Sequence, residues 1–259
     1  MRSPDTPATN ATAIVVPEWP APDSVRALAT TRLLPGNSQP PYEAFNLGLR
    51  SGEDEGIVQA NRTLLGRALS LPSPPRWLRQ VHGDRSLRLT AEVIVGEPEA
   101  DAAFTTEPGV VLAILGADCL PVLLCADSGD EVAAIHAGWR GLAACVIENC
   151  IRRLRTPRER LLAWLGPAIG AASYEVGAEV RDALLARDAG ADVAFAPTRP
   201  GHWTCDLYAL ARRRLQLLGV GRVSGGGFDT FADARFYSYR RDGARSGRMA
   251  TLIWIARRN

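Results

Sequence analysis

Apolar positions follow two spacings along this chain. In residues 110–115, 122–125 and 132–135, apolar or β-branched side chains follow one another without polar alternation, and turn residues separate the runs. That is the pattern of central strands buried on both faces, and residues 161–165 repeat it. Leu142, Val146, Ile147, Cys150, Ile151 and Leu154 instead recur at intervals of three and four, which predicts one amphipathic helix closed by Thr156 and Pro157. Upstream, residues 35–41 read as a loop that delivers residues 42–50. Ile57, Ala60, Leu64 and Leu65 predict a helix over residues 53–69, and the prolines of residues 72–75 stop it. Trp77, Leu78 and residues 87–95 read as strand. Downstream, residues 176–186 and 207–218 read as helices, the second ending at Gly219 with Arg212, Arg213 and Arg214 on its solvent side. Residues 235–241 and 249–256 close the chain with aromatic and β-branched strand-like alternation.

Strands and helices mix without strict alternation. The expectation is an α/β fold, a single-domain layered sandwich of mixed sheets with flanking helices rather than a doubly wound sheet. Residues 1–12, rich in Pro, Thr, Ala and Asn without apolar periodicity, read as a disordered tail ahead of one domain over 13–259.

The chain has 259 residues, 30 basic and 28 acidic, for a net charge of +2 and no basic run. Nucleic acid and anionic membrane are therefore not expected partners. No apolar stretch reaches the roughly 18–20 residues of a membrane span, and the N-terminus lacks a secretory pattern, so the expected location is cytoplasmic. Five irregularly spaced cysteines, with Cys145 and Cys150 in one helical run, read as reduced thiols.

Candidate chemistry gathers around the rarest residues. Cys119 lies between His82 and His136, two of only three histidines, and His136 opens the run His136-Ala137-Gly138-Trp139-Arg140-Gly141 at a helix start. If the strands that end near Cys119 and His136 are neighbours, a thiolate and an imidazole meet at a sheet rim near a helix N-terminus, where a cysteine pKa falls. Taken singly, an inert buried thiol and a packed histidine are the commoner roles. With His82, two imidazoles and one thiolate suffice for a tetrahedral zinc with one open position. The same cysteine and histidine could equally be a nucleophile and its base. Asp118 is either an orienting partner for a histidine or a turn residue.

The ordered motifs Phe45-Asn46-Leu47-Gly48-Leu49, Trp77-Leu78-Arg79-Gln80-Val81-His82-Gly83, Ala117-Asp118-Cys119-Leu120-Pro121, His136 to Gly141, Leu165-Gly166-Pro167-Ala168-Ile169-Gly170 and Ser238-Tyr239-Arg240-Arg241-Asp242-Gly243 resemble the bacterial laccase-domain family. That family was first named multicopper polyphenol oxidoreductase and is now grouped with zinc-containing purine nucleoside phosphorylases. The resemblance implies a fold distantly similar to Cys-His hydrolase-like folds and a metal at His82, Cys119 and His136. It also implies phosphorolysis of adenosine, inosine and S-methyl-5'-thioadenosine, with adenosine deamination at the same site. Asp229-Thr230 stands where family members often carry Cys-Thr.

A multicopper cluster needs more imidazoles than three histidines supply, so copper enters only as a single ion, in a laccase-like phenol oxidase. Phosphorolysis needs arginine. Arg140 and Arg240 are the first candidates for phosphate, Arg62 and Arg241 weaker ones, and Asn46 and Gln80 candidates for sugar hydroxyls or base edges. Trp139 offers a stacking face. The expected partners are purine nucleosides and phosphate, the expected cofactor zinc, with copper the alternative, and the simplest expected state a monomer. Further alternatives are a metal-free Cys119–His136 amidase acting on a cell-wall precursor and, outside the enzymes, a structural zinc site in a binding protein. His202 reads as exposed, Cys125, Cys145, Cys150 and Cys205 as small core residues, and Gly225, Gly226 and Gly227 as a turn rather than a phosphate loop.

Overall fold

Two β-sheets lie face to face, and helices cover the outer face of each. A computed structural model describes residues 13–92 and 95–257. In chain order its strands are β1 (Ile14–Val15), β2 (Val25–Thr30), β3 (Ser86–Arg88), β4 (Ala102–Thr105), β5 (Leu112–Gly116), β6 (Leu120–Ala126), β7 (Val132–Ala137), β8 (Leu161–Leu165), β9 (Glu175–Gly177), β10 (Phe195–Pro197), β11 (His202–Cys205), β12 (Arg222–Gly225) and β13 (Met249–Ile255). The α-helices are α1 (Glu55–Ala68), α2 (Trp139–Ala143), α3 (Val146–Ile151), α4 (Ala178–Leu185), α5 (Leu207–Leu217) and α6 (Tyr239–Asp242).

One sheet runs β1-β2-β13-β5 and is antiparallel throughout; the other runs β12-β8-β6-β7-β4-β3, antiparallel except at its two edge pairs. A small β10-β11-β9 sheet completes the fold. The central strands have no polar alternation because both of their faces are buried. Leu112 and Ile114 of β5 pack with Leu123, Cys125, Ala134 and Trp164 between the sheets. Val122 and Leu124 turn the other way, onto Leu142, Ile147, Leu210 and Leu215 of the helical layer. Ala113 and Leu252 face Leu65 of α1 with Phe45 and Leu47. The layered, mixed-sheet α/β domain expected from the sequence is the architecture found.

Several features differ from the sequence expectations, and Trp77 and Leu78, read as strand, lie between isolated bridges at Arg76 and Arg79. The helix over 142–154 is two helices, because Cys145 takes a left-handed backbone (φ 66°) between α2 and α3. Residues 235–241 form no strand: the Ser238 side chain accepts the Arg241 N–H and caps the short helix α6. Strand over 87–95 is confined to Ser86–Arg88, while Val93 and Ile94 lie outside the described residues, as do the expected tail 1–12 and the last two residues. Arg214 is buried rather than on the wet side of α5, 3.4 Å from Glu148. The Asp54 and Asp206 carboxylates accept the Ile57 and Ala209 N–H groups and cap the starts of α1 and α5. Cys125, Cys150 and Cys205 are buried, Cys145 half-buried, and His202 begins β11 half-buried.

Candidate active site

Strand register assembles the site. β6 and β7 pair antiparallel with Leu120 opposite Ala137 and Pro121 opposite His136, so Cys119, in the bend just ahead of β6, is brought beside His136 and Gly138. Cys119 thus precedes its strand instead of ending one. The bend is the crossing from β5 in one sheet to β6 in the other, and Asp118 makes it with φ 90°. On the far side of β7, Ala102 of β4 opposes Ile135, which sets Asp101 next to His136; the His136 N–H donates to the Asp101 carbonyl at 2.7 Å.

The donor atoms of His82, Cys119 and His136 lie within 4.8 Å of one another. Cys119 Sγ is 3.8 Å from His82 Nε2, and the two rings meet edge to face with centroids 4.8 Å apart. Asp101, fully buried, organises the pair. Its Oδ1 takes the His136 Nδ1 at 2.9 Å and the His82 N–H at 2.9 Å, and its Oδ2 takes the N–H groups of Val81 and Gly83 at 3.2 and 2.8 Å. Burial works against the Asp101 charge, yet the His136 ring and these N–H groups hold its carboxyl below the usual carboxylate range. Burial also opposes ionisation of Cys119, and the neighbouring His136 and His82 overcome it, lowering the thiol to about 6. His136 is disfavoured as a cation by burial but raised to about 9 by the Cys119 thiolate and Asp101. Cys125, Cys150 and Cys205 have no such neighbours, and burial pushes each up to about 12.

The cluster opens into a cavity of about 530 Å³, a size suited to a small organic ligand. Four guanidiniums line it, those of Arg50, Arg140, Arg240 and Arg248, against the single carboxylate of Asp118. Arg140 stacks on Trp139 at 4.4 Å, Arg240 on Tyr174 at 5.0 Å, and Arg248 lies 5.9 Å from the Tyr239 ring. Asp118 bonds no histidine among the described residues; it accepts the Thr230 hydroxyl at 2.6 Å and the Arg240 N–H at 2.7 Å.

Among the residues singled out from sequence, His82, Cys119, His136, Arg140, Arg240, Gln80 and Trp139 come together on this cavity. Gln80 reaches it with its amide already engaged, donating to and accepting from the Leu115 backbone at 2.8 Å each way. Asn46 and Arg62 do not line it. Asn46 is fully buried: its amide nitrogen bonds Ser51 and Glu53, and its oxygen takes the N–H groups of Gly48 and Arg248. Arg62 pairs with Glu97 at 2.6 Å and stacks on Trp77 at 4.2 Å. Arg241 is tied to Asp242 and to the Thr230, Phe231 and Phe236 carbonyls. Gly225, the last residue of β12, and Gly226 and Gly227 beyond it all take positive φ.

Asp101, Arg50, Arg248, Tyr174 and Tyr239 were not among the site residues expected from sequence. The one available signal for Asp101 was an acid set between alanines at the start of an apolar strand.

The donor set fits a metal ion. One thiolate and two imidazoles suit zinc or copper, and around a common tetrahedral zinc such atoms stand roughly 3.3–3.6 Å apart, near the 3.8 Å Sγ–Nε2 separation. Gly138 keeps the space beside them clear: a Cβ there would stand 2.7 Å from Cys119 Sγ and 3.4 Å from His82 Cδ2.

Residues 26–256 match the family model described as multi-copper polyphenol oxidoreductase laccase. A protein of Xylella fastidiosa (strain 9a5c) named purine nucleoside phosphorylase is 52% identical over 252 residues, covering 93% of this chain and 96% of that one. The Escherichia coli (strain K12) protein named purine nucleoside phosphorylase YfiH is 47% identical, covering 93% of this chain and 98% of its own. Among solved structures, Neisseria meningitidis protein NMB0706 superposes with a TM-score of 0.90 at 43% identity, covering 95% of this chain and all of that one.

Proposed function

The chain belongs to the multi-copper polyphenol oxidoreductase laccase family, and on that premise we propose that it is a purine nucleoside phosphorylase, the name its relatives carry. One observation carries the reading: the His82–Cys119–His136 cluster opens into a cavity where Arg140, Arg240 and Arg248 form no ion pair among the described residues. Arg50, by contrast, is paired with Glu97. Unpaired guanidiniums held on aromatic faces are suited to grip an oxyanion bidentately.

The substrates in this reading are adenosine, inosine and S-methyl-5'-thioadenosine with inorganic phosphate. A phosphate oxygen bonds to the anomeric carbon as the glycosidic bond breaks, and the purine leaves with the bonding electrons and takes up a proton. The arginines hold the phosphate in line and neutralise its charge. Trp139, Tyr174 and Tyr239 supply faces on which a purine can stack. Bound by His82, Cys119 and His136, zinc would supply Lewis-acid polarisation and a water of pKa near about 7, the chemistry that deamination of adenosine at the same site requires. Asp101 keeps His136 oriented throughout. The enzyme in this reading is a monomeric cytoplasmic protein without nucleic-acid or membrane partners. No helix among the described residues is long and apolar enough to cross a membrane, and the free cysteines suit a reducing compartment.

Incubating the purified protein with each nucleoside, with and without phosphate, and separating the products tests the proposal. Free base that appears only with phosphate, together with inosine from adenosine, is the expected result; neither product would sink it.

A second reading has its own observation. Cys119, lowered to about 6, His136 and Asp101 form a nucleophile, base and orienting-acid series. That favours a metal-free amidase on a cell-wall precursor over a copper phenol oxidase, the other alternative. Activity that survives chelation but is lost on alkylation of Cys119 would select it.

A further inference from the structure

Asp101 occupies a position that neither the motifs nor the donor set required. Its carboxylate is fully buried, with no arginine paired to it among the described residues, and it receives four N–H donors from two separate segments. Three of them, from Val81, His82 and Gly83, converge as a backbone cradle around an anion. His82 sits within that cradle at φ 61°, a left-handed conformation that a histidine seldom adopts unaided. The fourth donor is the imidazole of His136. An ionised carboxylate can only accept, so the proton lies on Nδ1, and Nε2 of the neutral ring is left with its lone pair.

We propose that Asp101 is the positioning residue of the site, fixing His82 through the backbone of residues 81–83 and fixing His136 as the Nδ1–H tautomer whose Nε2 faces the reactive cluster. It touches neither substrate nor the reacting atoms. The inference rests on reading His82, Cys119 and His136 as the reactive cluster, and is independent of which nucleoside is cleaved.

Asp101→Asn isolates the role because it preserves volume and removes one acceptor. If the amide NH₂ takes the Oδ2 place, it opposes two backbone donors, those of Val81 and Gly83. In the Oδ1 place it opposes only the His82 N–H, and it can donate to His136 if that ring moves its proton to Nε2. The second arrangement leaves fewer donors unsatisfied. Folded Asp101→Asn is therefore expected to carry the wrong tautomer and to bind zinc about 10- to 100-fold more weakly, the usual effect of removing a partner behind a ligand.

The measurements are zinc affinity by competition with a chromophoric chelator and long-range ¹H–¹⁵N imidazole correlation spectra of wild type and variant. Wild type is expected to carry its proton on His136 Nδ1 both with zinc and in metal-free protein made alkaline enough to neutralise the ring, and the metal-free variant to carry it on Nε2. A folded variant that binds zinc within twofold of wild type overturns the inference. Should the variant fail to fold, wild type decides alone: His136 protonated on Nε2, in the zinc form or in metal-free protein made alkaline enough to neutralise the ring, overturns it as well. If wild type binds no zinc, the metal-site reading fails, and the metal-free spectrum still tests Asp101.

Discussion

The carboxylate of Asp118 accepts the backbone N–H of Arg240 at 2.7 Å, across 122 residues of sequence. Its other oxygen takes the Thr230 hydroxyl at 2.6 Å. The residue next to Cys119 therefore pins the segment that carries Tyr239 and Arg240 to the cavity, tying one arginine of its wall to the reactive cluster.

Asp118→Asn should keep both bonds, since its oxygen can accept the Arg240 N–H while its amide donates to the Thr230 oxygen, and asparagine tolerates positive φ. Asp118→Ala orphans two donors at about 1–3 kcal/mol each. Urea denaturation is expected to place the alanine variant about 2–4 kcal/mol below wild type and the asparagine variant within about 1 kcal/mol. Equal losses in the two variants would refute this account of Asp118.

How much of this was legible in sequence depends on what encodes it. β5 to β8 are runs of Val, Leu, Ile and Ala with both faces buried, a signal local to each strand. The helix broken at Cys145 was not legible, because Val146, Ile147 and Cys150 continue the apolar spacing through the left-handed residue. Cys119, His82 and His136 stood out by rarity. Asp101 did not, because its partners are backbone N–H groups and one ring brought by register from other segments. Asn46 and Arg62, conspicuous as polar residues, prove to be engaged within the protein by partners that no spacing reveals.

Arg62 and Arg248 should separate stability from substrate binding. Removing Arg62 breaks a buried ion pair, at about 3–5 kcal/mol, though Glu97 retains Arg50 at 2.8 Å and the loss should fall toward the lower end. Arg62→Ala is expected to lower the denaturation midpoint while the KM for phosphate of the folded protein stays within about twofold of wild type. A large rise in that KM, with stability intact, would return Arg62 to the binding site.

Arg248 is held differently, by bonds from its guanidinium to the Ser246 and Gly247 carbonyls and from its N–H to Asn46. No carboxylate pairs with it among the described residues, and it lines the cavity. Arg248→Met keeps the apolar stem and should raise the KM for phosphate about 10- to 100-fold, the worth of a charge-assisted hydrogen bond of ~1.5–3 kcal/mol. Steady-state kinetics with phosphate varied at saturating nucleoside read the change; an unaltered KM for phosphate removes Arg248 from that role.

Asp229 makes stability depend on acid. Burial raises its carboxyl, but the Ser173 hydroxyl and the N–H groups of Gly170, Phe231 and Ala232 bring it below its ordinary 3.8. A depressed folded pKa means that its stabilisation is present above the unfolded value and lost as pH falls through the folded one. Asp229→Asn should therefore cost about 1–3 kcal/mol at neutral pH, and the gap from wild type should close as pH drops below 3.8. Urea midpoints at neutral and acid pH measure both, and a gap independent of pH contradicts the assignment.

Gly138 is required for space rather than for conformation. Its backbone, at φ −68° and ψ 168°, is one that any residue adopts. What excludes a side chain is Cys119 Sγ, 2.7 Å from where a Cβ would stand. Gly138→Ala must push the thiol aside, an overpacking of about 1–3 kcal/mol, and a displaced Sγ no longer shares an ion with His82 and His136. Gly83 is a nearby contrast: a Cβ there would lie 3.5 Å from Asp101 Oδ2, an ordinary contact. Zinc content after dialysis and kcat/KM should both fall at least about 10-fold in Gly138→Ala and stay within about twofold in Gly83→Ala. If Gly138→Ala retains zinc and activity, the thiol is not a ligand in the position described, and the cluster would have to act through His82 and His136 without it.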